Sequence, residues 1–151
     1  MRLARTLLFG LALALLGSCK GMESVPLDHL DLGSFTVVSY QMPHDDHRAS
    51  GYAQRLVGKT FTFGPDRIAF PLDFGVPDCQ HQGYRLTERA AAYLPPFELG
   101  QAGTYSLADA EIRDERLLEV WNFCVSGVYL STDHQTMYVP GRGALFILQR
   151  Q

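Results

Sequence analysis

The sequence predicts a mainly β fold: a small antiparallel barrel or sandwich of about seven or eight strands, with one or two short helices. First, β-branched and aromatic residues alternate with period two in several short runs, most strictly in residues 59–63. Second, turns that contain glycine or proline separate these runs. Third, no repeat of fixed period and no low-complexity segment interrupts the pattern. A single small β domain follows from these observations.

The first half of the domain opens with a strand over residues 34–41, where aromatic and β-branched side chains alternate. A polar loop follows, and residues 50–56 then predict a short helix, with Gly58 where a C-terminal glycine belongs. Residues 59–63 and 67–70 predict the clearest hairpin of the chain, joined by a Gly-Pro-Asp turn.

The second half predicts one more helix and several strands. Residues 87–94 favour a helix, because a threonine cap precedes glutamate, arginine and three alanines, and two prolines end the segment. Residues 111–124 favour a strand in their second half, whereas a helix over residues 108–118 is the alternative for the first, where aspartate, glutamate and arginine cluster. The remaining strands are expected at residues 127–131, 136–140 and 144–148.

The beginning of the chain has the three-part layout of a secretory signal peptide. Arg2 and Arg5 precede an apolar run, residues 7–16, that is too short to span a bilayer. Leu16-Gly17-Ser18-Cys19 then resembles the lipobox of bacterial lipoproteins. The resemblance implies that residues 1–18 are cleaved and that Cys19 carries the lipid. Lys20, rather than aspartate, implies the outer membrane, with the protein facing the periplasm.

This interpretation predicts a simple domain organisation. The signal peptide is 1–18, the lipidated N-terminus and tether are 19–32, and a single β domain is 33–151. Removal of 18 of the 151 residues leaves 133, and 11 of the 13 basic side chains remain beside all 16 acidic ones, a formal charge of −5. That balance argues against nucleic acid as a partner, because nucleic acid rewards a cationic face.

Two cysteines remain beside the lipidated one, Cys79 and Cys124. In an oxidising compartment two such cysteines pair more often than not, and a disulfide is expected here. A metal-binding pair or two free thiols are the alternatives. His81 follows two residues after Cys79 and could add a metal ligand, but is expected on the loop surface.

Both ends of the β domain resemble lipocalins. Gly33-Ser34-Phe35 is similar to their Gly-x-Trp opening, with phenylalanine in place of tryptophan, and the last strand ends in Gln149-Arg150, as in small lipocalin-like proteins. The resemblance implies a barrel whose interior takes a small apolar or amphipathic ligand. The candidate wall residues are aromatic: Phe61, Phe63, Trp121, Phe123 and Phe146.

Other patterns carry less chemistry. His44 and His47 flank two aspartates and could hold zinc or copper, although a solvated loop has the same composition. Asp133-His134 suggests a hydrolase, but no Gly-x-Ser-x-Gly elbow accompanies it and the pair falls in a predicted hairpin turn. No glycine-rich phosphate loop occurs. The chain is therefore expected not to be an enzyme and to need no cofactor.

The expected function is that of a lipid-anchored envelope lipoprotein whose β domain binds a small apolar or amphipathic ligand. One alternative is a protein-binding module, or an inhibitor of a periplasmic or cell-wall enzyme, that would use the loops at residues 43–48 or 133–135. A metal-binding lipoprotein is a further alternative.

Overall fold

The computed structural model describes residues 30–42, 47–99, 104–106, 109–122 and 124–151, with residues 47–49 as backbone only. These parts of the chain contain eleven strands, one α-helix and two 3-10 turns, which confirms the mainly β class. No helix within these ranges is both long and apolar enough to cross a membrane.

The bounds of the elements follow the chain. The strands are β1 Gly33–Gln41, β2 Thr60–Phe63, β3 Arg67–Ala69, β4 Cys79–Gln80, β5 Arg85–Ala90, β6 Phe97–Glu98, β7 Thr104–Tyr105, β8 Arg116–Trp121, β9 Val128–Ser131, β10 Thr136–Gly141 and β11 Ala144–Arg150. The helix α1 is His47–Leu56, and the 3-10 turns are Leu72–Phe74 and Ala91–Tyr93.

Nine strands form one antiparallel sheet in the order β4-β3-β2-β1-β11-β10-β9-β8-β5. Its two edge strands, β4 and β5, are successive in the chain and are joined by residues 81–84 alone. Because four residues span at most about 17 Å from strand end to strand end, the two edges of the sheet must lie close together. The sheet is therefore curled into a half-barrel, and residues 81–84, called the seam below, lead from one edge to the other.

The first and last strands pair over most of their length, with Phe35 opposite Arg150. The Arg150 guanidinium lies over the Phe35 ring, with its Cζ 4.9 Å from the ring centroid. Gly33 has a φ of 85°, and a Cβ there would lie 2.8 Å from Nη1 of Arg150. The positive φ therefore favours glycine at this position, whereas the flexible end of Arg150 could move aside for a Cβ.

The concave face of the sheet is filled by aromatic rings. Phe61, Phe63 and Phe146 are fully buried. Phe61 packs on Phe74 with the ring centroids 5.0 Å apart, and Phe74 packs on Phe146 at 6.2 Å. Helix α1 adds Ala53 and Leu56 to the same core. The interior is thus a packed core around these rings.

A second, smaller core covers the convex face. The β6–β7 pair and its flanks contribute Phe97, Leu99 and Tyr105, which pack on residues of β8 to β11 such as Tyr129 and Leu145. Strands β9, β10 and β11 are consequently buried on both faces, which explains why all four residues of β9 are buried.

The helix expected over residues 87–94 is wrong. Residues 85–90 belong to β5 and pair with β8 along its whole length, from Arg85 opposite Trp121 to Ala90 opposite Arg116. Six cross-strand pairs and the Arg89–Glu119 ion pair, with Nε and Oε2 2.8 Å apart, outweigh the helix propensity of three alanines. Only the 3-10 turn Ala91–Tyr93 remains helical.

Most other strand predictions hold within one or two residues, including both hairpins and the final strand. The strand expected over residues 111–124 is formed only over Arg116–Trp121. Helix α1 begins three residues before the expected start at position 50. The sheet strand β4 and the pair β6–β7 were not expected, and they raise the strand count. Each has two residues, which is too short to show a period of two.

Cys79 and Cys124 lie at disulfide-bonding distance, with their Cα atoms 5.9 Å apart, as the sequence predicts. Cys79 belongs to edge strand β4, and Cys124 follows β8, the neighbour of the opposite edge strand β5. The cross-link therefore ties the two sides of the half-barrel together next to the seam.

Replacement of both cysteines by serine is expected to lower the free energy of unfolding. The two cysteines are 45 residues apart, a separation for which loop-closure entropy gives about 4 kcal/mol. Urea unfolding followed by circular dichroism measures the loss. Treatment of the wild-type protein with a thiol reductant should produce the same shift, and an unchanged unfolding midpoint after complete reduction would contradict the role of the cross-link.

Candidate ligand-binding site at the seam

A cavity of about 470 Å³ opens at the seam, lined by residues 80–85 together with Trp121 and Asn122. The backbone N–H of His81 still bonds to the carbonyl of Asp66 at 2.8 Å, which extends the pairing of β3 with β4 by one residue. Beyond it, the chain leaves one edge of the sheet and joins the other at Arg85. The seam cavity thus forms where regular strand pairing is interrupted.

His81 forms one wall of the seam cavity and is buried, with 8% of its surface exposed, which corrects its expected place on the loop surface. Its Nδ1 lies 3.0 Å from the Gly83 nitrogen and 3.1 Å from the Gly83 carbonyl oxygen, so it accepts from the N–H in one tautomer and donates to the carbonyl in the other. We assign the tautomer with the proton on Nε2, because the Gly83 amide always carries its proton and directs it at Nδ1. Within the described part of the chain, that buried Nε2 has no hydrogen-bond partner.

Asn122 forms another wall and is 6% exposed. Its Oδ1 accepts two backbone N–H groups, from Cys124 at 2.8 Å and from Val125 at 2.9 Å. These bonds fix the orientation of the amide, so that Nδ2 is the free end. Among the described residues, Nδ2 of Asn122 is buried without a partner. The seam cavity is therefore lined by two residues that each hold an unsatisfied N–H donor.

Trp121 and Arg85 complete the rim. They are directly opposite each other in the β5–β8 pair, and the guanidinium Cζ of Arg85 lies 5.2 Å from the centroid of a Trp121 ring. Trp121 remains 48% exposed. This stack places the cation of Arg85 and the flat apolar surface of Trp121 in the same lining as His81 and Asn122.

Tyr84 lies behind the seam cavity and is almost fully buried. Its ring centroid is 4.4 Å from that of His81, and its hydroxyl donates to the Gly64 carbonyl at 2.8 Å. Burial raises the pKa of the Tyr84 phenol, and the nearby carboxylates of Asp31 and Asp66 raise that pKa further. The hydroxyl is thus a fixed hydrogen-bond donor that helps to hold the seam in place.

The aromatic residues that were expected to line a ligand pocket are brought together only in part. Phe61, Phe63 and Phe146 lie in the packed interior, whereas Trp121 lies at the rim of the seam cavity. Phe123 is outside the described residues.

Three other predicted site residues cannot be compared with the structure. Cys19 and His44 lie outside the described ranges, and His47 begins α1 with its side chain not described. Among the residues that are described, no group of three or more histidine, cysteine, aspartate or glutamate side chains is arranged to hold a metal ion.

Asp133 and His134 lie in the turn between β9 and β10, where the sequence places them. The Ser131 hydroxyl and the Gln135 backbone N–H both donate to Asp133, and these hydrogen bonds lower the pKa of its carboxyl. His134 has a positive φ of 62°. The hydrogen bonds to Asp133 and the positive φ of His134 are explained by the structure of the turn itself.

A second cavity, of about 380 Å³, lies between the β6 segment and β8 to β10. Glu98 and Glu119 are among its lining residues, and Glu119 is already paired with Arg89. No buried side-chain donor without a partner lines it within the described part of the chain. The seam cavity is therefore the stronger candidate.

No family model matches this chain, and neither a curated protein nor a solved structure matches it significantly. The interpretation of the site consequently depends on its geometry.

The sequence contained a partial signal for the site. His81 follows Cys79 by two residues and Asn122 precedes Cys124 by two, so the predicted disulfide brings both side chains into one neighbourhood. Their burial could not be read from composition, because histidine and asparagine are usually exposed in loops.

The stability of the protein is expected to fall as the pH rises above about 10, the pKa of an unfolded tyrosine. Burial raises the pKa of five phenols in the folded state, those of Tyr52, Tyr84, Tyr105, Tyr129 and Tyr138. Above that pH the unfolded chain loses protons that the folded chain keeps, and each tyrosine removes at most about 1.4 kcal/mol per pH unit.

Urea unfolding between neutral and alkaline pH measures this slope. Tyr84→Phe should flatten it, because one linked proton is removed, whereas Tyr93→Phe serves as the control, since Tyr93 is 87% exposed. A slope that is the same in wild type and Tyr84→Phe would contradict the linkage.

Proposed function

We propose that this protein is a non-enzymatic, lipid-anchored protein of the bacterial envelope whose β domain binds a small molecule in the seam cavity. The observation that carries the proposal is that His81 and Asn122 both line one open cavity, and that each holds a buried N–H group with no partner among the described residues. Such groups are uncommon in folded proteins, and each calls for an ordered water, an ion, a ligand or a functional strain.

The unsatisfied N–H groups of His81 and Asn122 carry an energetic cost. A buried donor without a partner costs about 1–3 kcal/mol, and two of them are a large fraction of the stability of a small domain. A ligand acceptor that reaches either group would remove the cost of that group. Binding at the seam cavity would thereby stabilise the folded state as well as hold the ligand.

The size and lining of the seam cavity also support ligand binding. Its volume of about 470 Å³ falls within the range of small-molecule sites. The half-exposed Trp121 offers apolar contact area, and a few polar groups converge beside it. The packed rings of Phe61, Phe63 and Phe146 favour the seam over the interior as the binding place.

The envelope location is proposed from the N-terminal sequence. The basic start, the apolar run and Leu16-Gly17-Ser18-Cys19 support cleavage before Cys19 and acylation of that residue. Several acyl chains on one cysteine anchor a protein stably, because each buried methylene adds about 0.8 kcal/mol. The predicted disulfide agrees with an oxidising compartment such as the periplasm.

Ligand binding can be followed through Trp121, the single tryptophan of the chain. The full-length protein, purified from membranes into lipid nanodiscs, is titrated with a panel of small aromatic compounds that carry a carboxylate, an amide, an alcohol or an amine. At least one compound is expected to shift the emission of Trp121 saturably at about 1 mM or below. A panel that leaves the emission of the folded protein unchanged would rule out the seam site.

Matched variants identify the two donors. His81→Asn keeps an acceptor for the Gly83 N–H but removes the Nε2 donor, whereas His81→Gln can place an amide near the Nε2 position. Asn122→Asp keeps the Oδ1 acceptor and removes the N–H. His81→Asn and Asn122→Asp are each expected to weaken binding about tenfold or more, and His81→Gln less. Equal affinities in all four proteins would place the ligand elsewhere.

The membrane anchor is tested by Cys19→Ala. The variant should leave the membrane fraction and appear among soluble proteins, whereas the wild type stays with the outer membrane. Intact-mass measurement of the wild type should give a chain that begins at residue 19 and carries acyl groups. A wild-type chain that retains an unmodified Met1 would overturn the lipoprotein assignment.

A further inference from the structure

We infer that the seam cavity selects ligands that present a single carboxylate on a flat apolar body. The inference rests on the proposed function and specifies its ligand class. It follows from three features of the lining: the direction of its unsatisfied hydrogen bonds, its charge, and the exposed indole at its rim.

Both unsatisfied groups are donors. In the tautomer assigned above, Nε2 of His81 carries the proton and Nδ1 accepts from the Gly83 N–H. Nδ2 of Asn122 is the amide nitrogen, because Oδ1 accepts from two backbone N–H groups. A ligand must therefore bring acceptors. Alcohols and amides bring both donors and acceptors, amines in water bring donors only, and a carboxylate brings acceptors only.

The charge of the lining points the same way. Among the described residues that line the seam cavity, Arg85 is the one with a permanent charge, and none is a carboxylate. Hydrogen bonds from neutral donors and from a guanidinium to an ionised carboxylate are about twice as strong as neutral ones. A single guanidinium balances one negative charge, which favours a carboxylate over a phosphate dianion.

Arg85 contacts the indole at the rim. Its guanidinium Cζ lies 5.2 Å from a ring centroid of Trp121, and this stack favours a guanidinium placed beside the cavity. A preordered side chain loses less conformational freedom on binding than a free one. The geometry thus resembles that of a fixed anion receptor beside an apolar surface.

Trp121 accounts for the flat apolar body. The indole is 48% exposed although it lies at the end of a sheet strand, in a protein whose other large aromatic rings are mostly buried. Tryptophan at the rim of a cavity offers a large rigid surface on which a planar group can pack. The volume of about 470 Å³ is sufficient for a body of one or two rings with its carboxylate.

The test compares three probes that share one ring and differ only in the head group: phenylacetate, phenylacetamide and phenethylamine. Each is titrated into the full-length protein in uncharged lipid nanodiscs, with Trp121 emission and isothermal calorimetry as readouts. Phenylacetate should bind at least about tenfold more tightly than phenylacetamide, because the charge-assisted bonds are lost in the amide. Phenethylamine should bind more weakly still.

Two arginine variants separate a local contact from general charge. Arg85→Gln should reduce the preference for phenylacetate over phenylacetamide about tenfold, whereas Arg85→Lys should keep part of it. Arg89→Gln is the matched control. Arg89 lies on the same face of the same strand as Arg85, four residues further along, but it pairs with Glu119 outside the seam cavity. Circular dichroism confirms that each variant is folded.

The outcomes distinguish the two proposals. If the amide or the amine binds as tightly as phenylacetate, or if Arg89→Gln has the same effect as Arg85→Gln, the carboxylate inference is overturned while ligand binding at the seam stands. If none of the three probes binds but other aromatic compounds shift Trp121, the carboxylate inference is likewise overturned. If no compound of either set acts on Trp121, the proposed function itself fails.

Discussion

The return of the sheet upon itself at the seam is the constraint on which the rest of the structure depends. Strands β4 and β5 are opposite edges of a nine-stranded sheet, yet four residues join them, and Cys79 lies at bonding distance from Cys124 beside this connection. A flat sheet could not satisfy either distance. The curl encloses the aromatic core on the concave side. The two strands left as edges limit edge-to-edge association, because β4 has only two residues and β5 carries cross-strand ion pairs with β8.

The same constraint places the cavity. Along the sheet, the backbone pairs with neighbouring strands, and the interior is closed by rings in contact. At the seam the pairing stops after the His81 N–H, and the chain turns through Gln82 and Gly83 before β5 begins. Side chains rather than strands must then satisfy the polar groups. In the assigned tautomer, Nδ1 of His81 accepts from the Gly83 N–H, and Oδ1 of Asn122 accepts from the N–H groups of residues 124 and 125. Nε2 of His81 and Nδ2 of Asn122 are left as donors.

The sequence predicted the elements whose own side chains specify them. Alternation in residues 59–63 is enough to give β2, since both phenylalanines point to one face whatever their neighbours do. The helix predicted for residues 87–94 is wrong because helix propensity is local, while the four pairs that place residues 87–90 in a strand join them to residues 26 to 32 positions away in β8. The site follows the same division. Trp121 and the cysteine pair were identified as candidates, but the burial of His81 and Asn122 arises only when the two edges of the sheet meet.

The charge at the seam differs from that of the chain as a whole, which carries a formal charge of −3. An anion is repelled by such a protein at long range, but salt screens exposed charges beyond about 8 Å at physiological ionic strength. Inside that distance, the guanidinium of Arg85 and the two buried N–H groups outweigh the net charge, since the described lining contains no carboxylate. The acidic surface would then slow encounter without removing selectivity, so the contribution of the seam to affinity would lie mainly in the dissociation rate of the ligand.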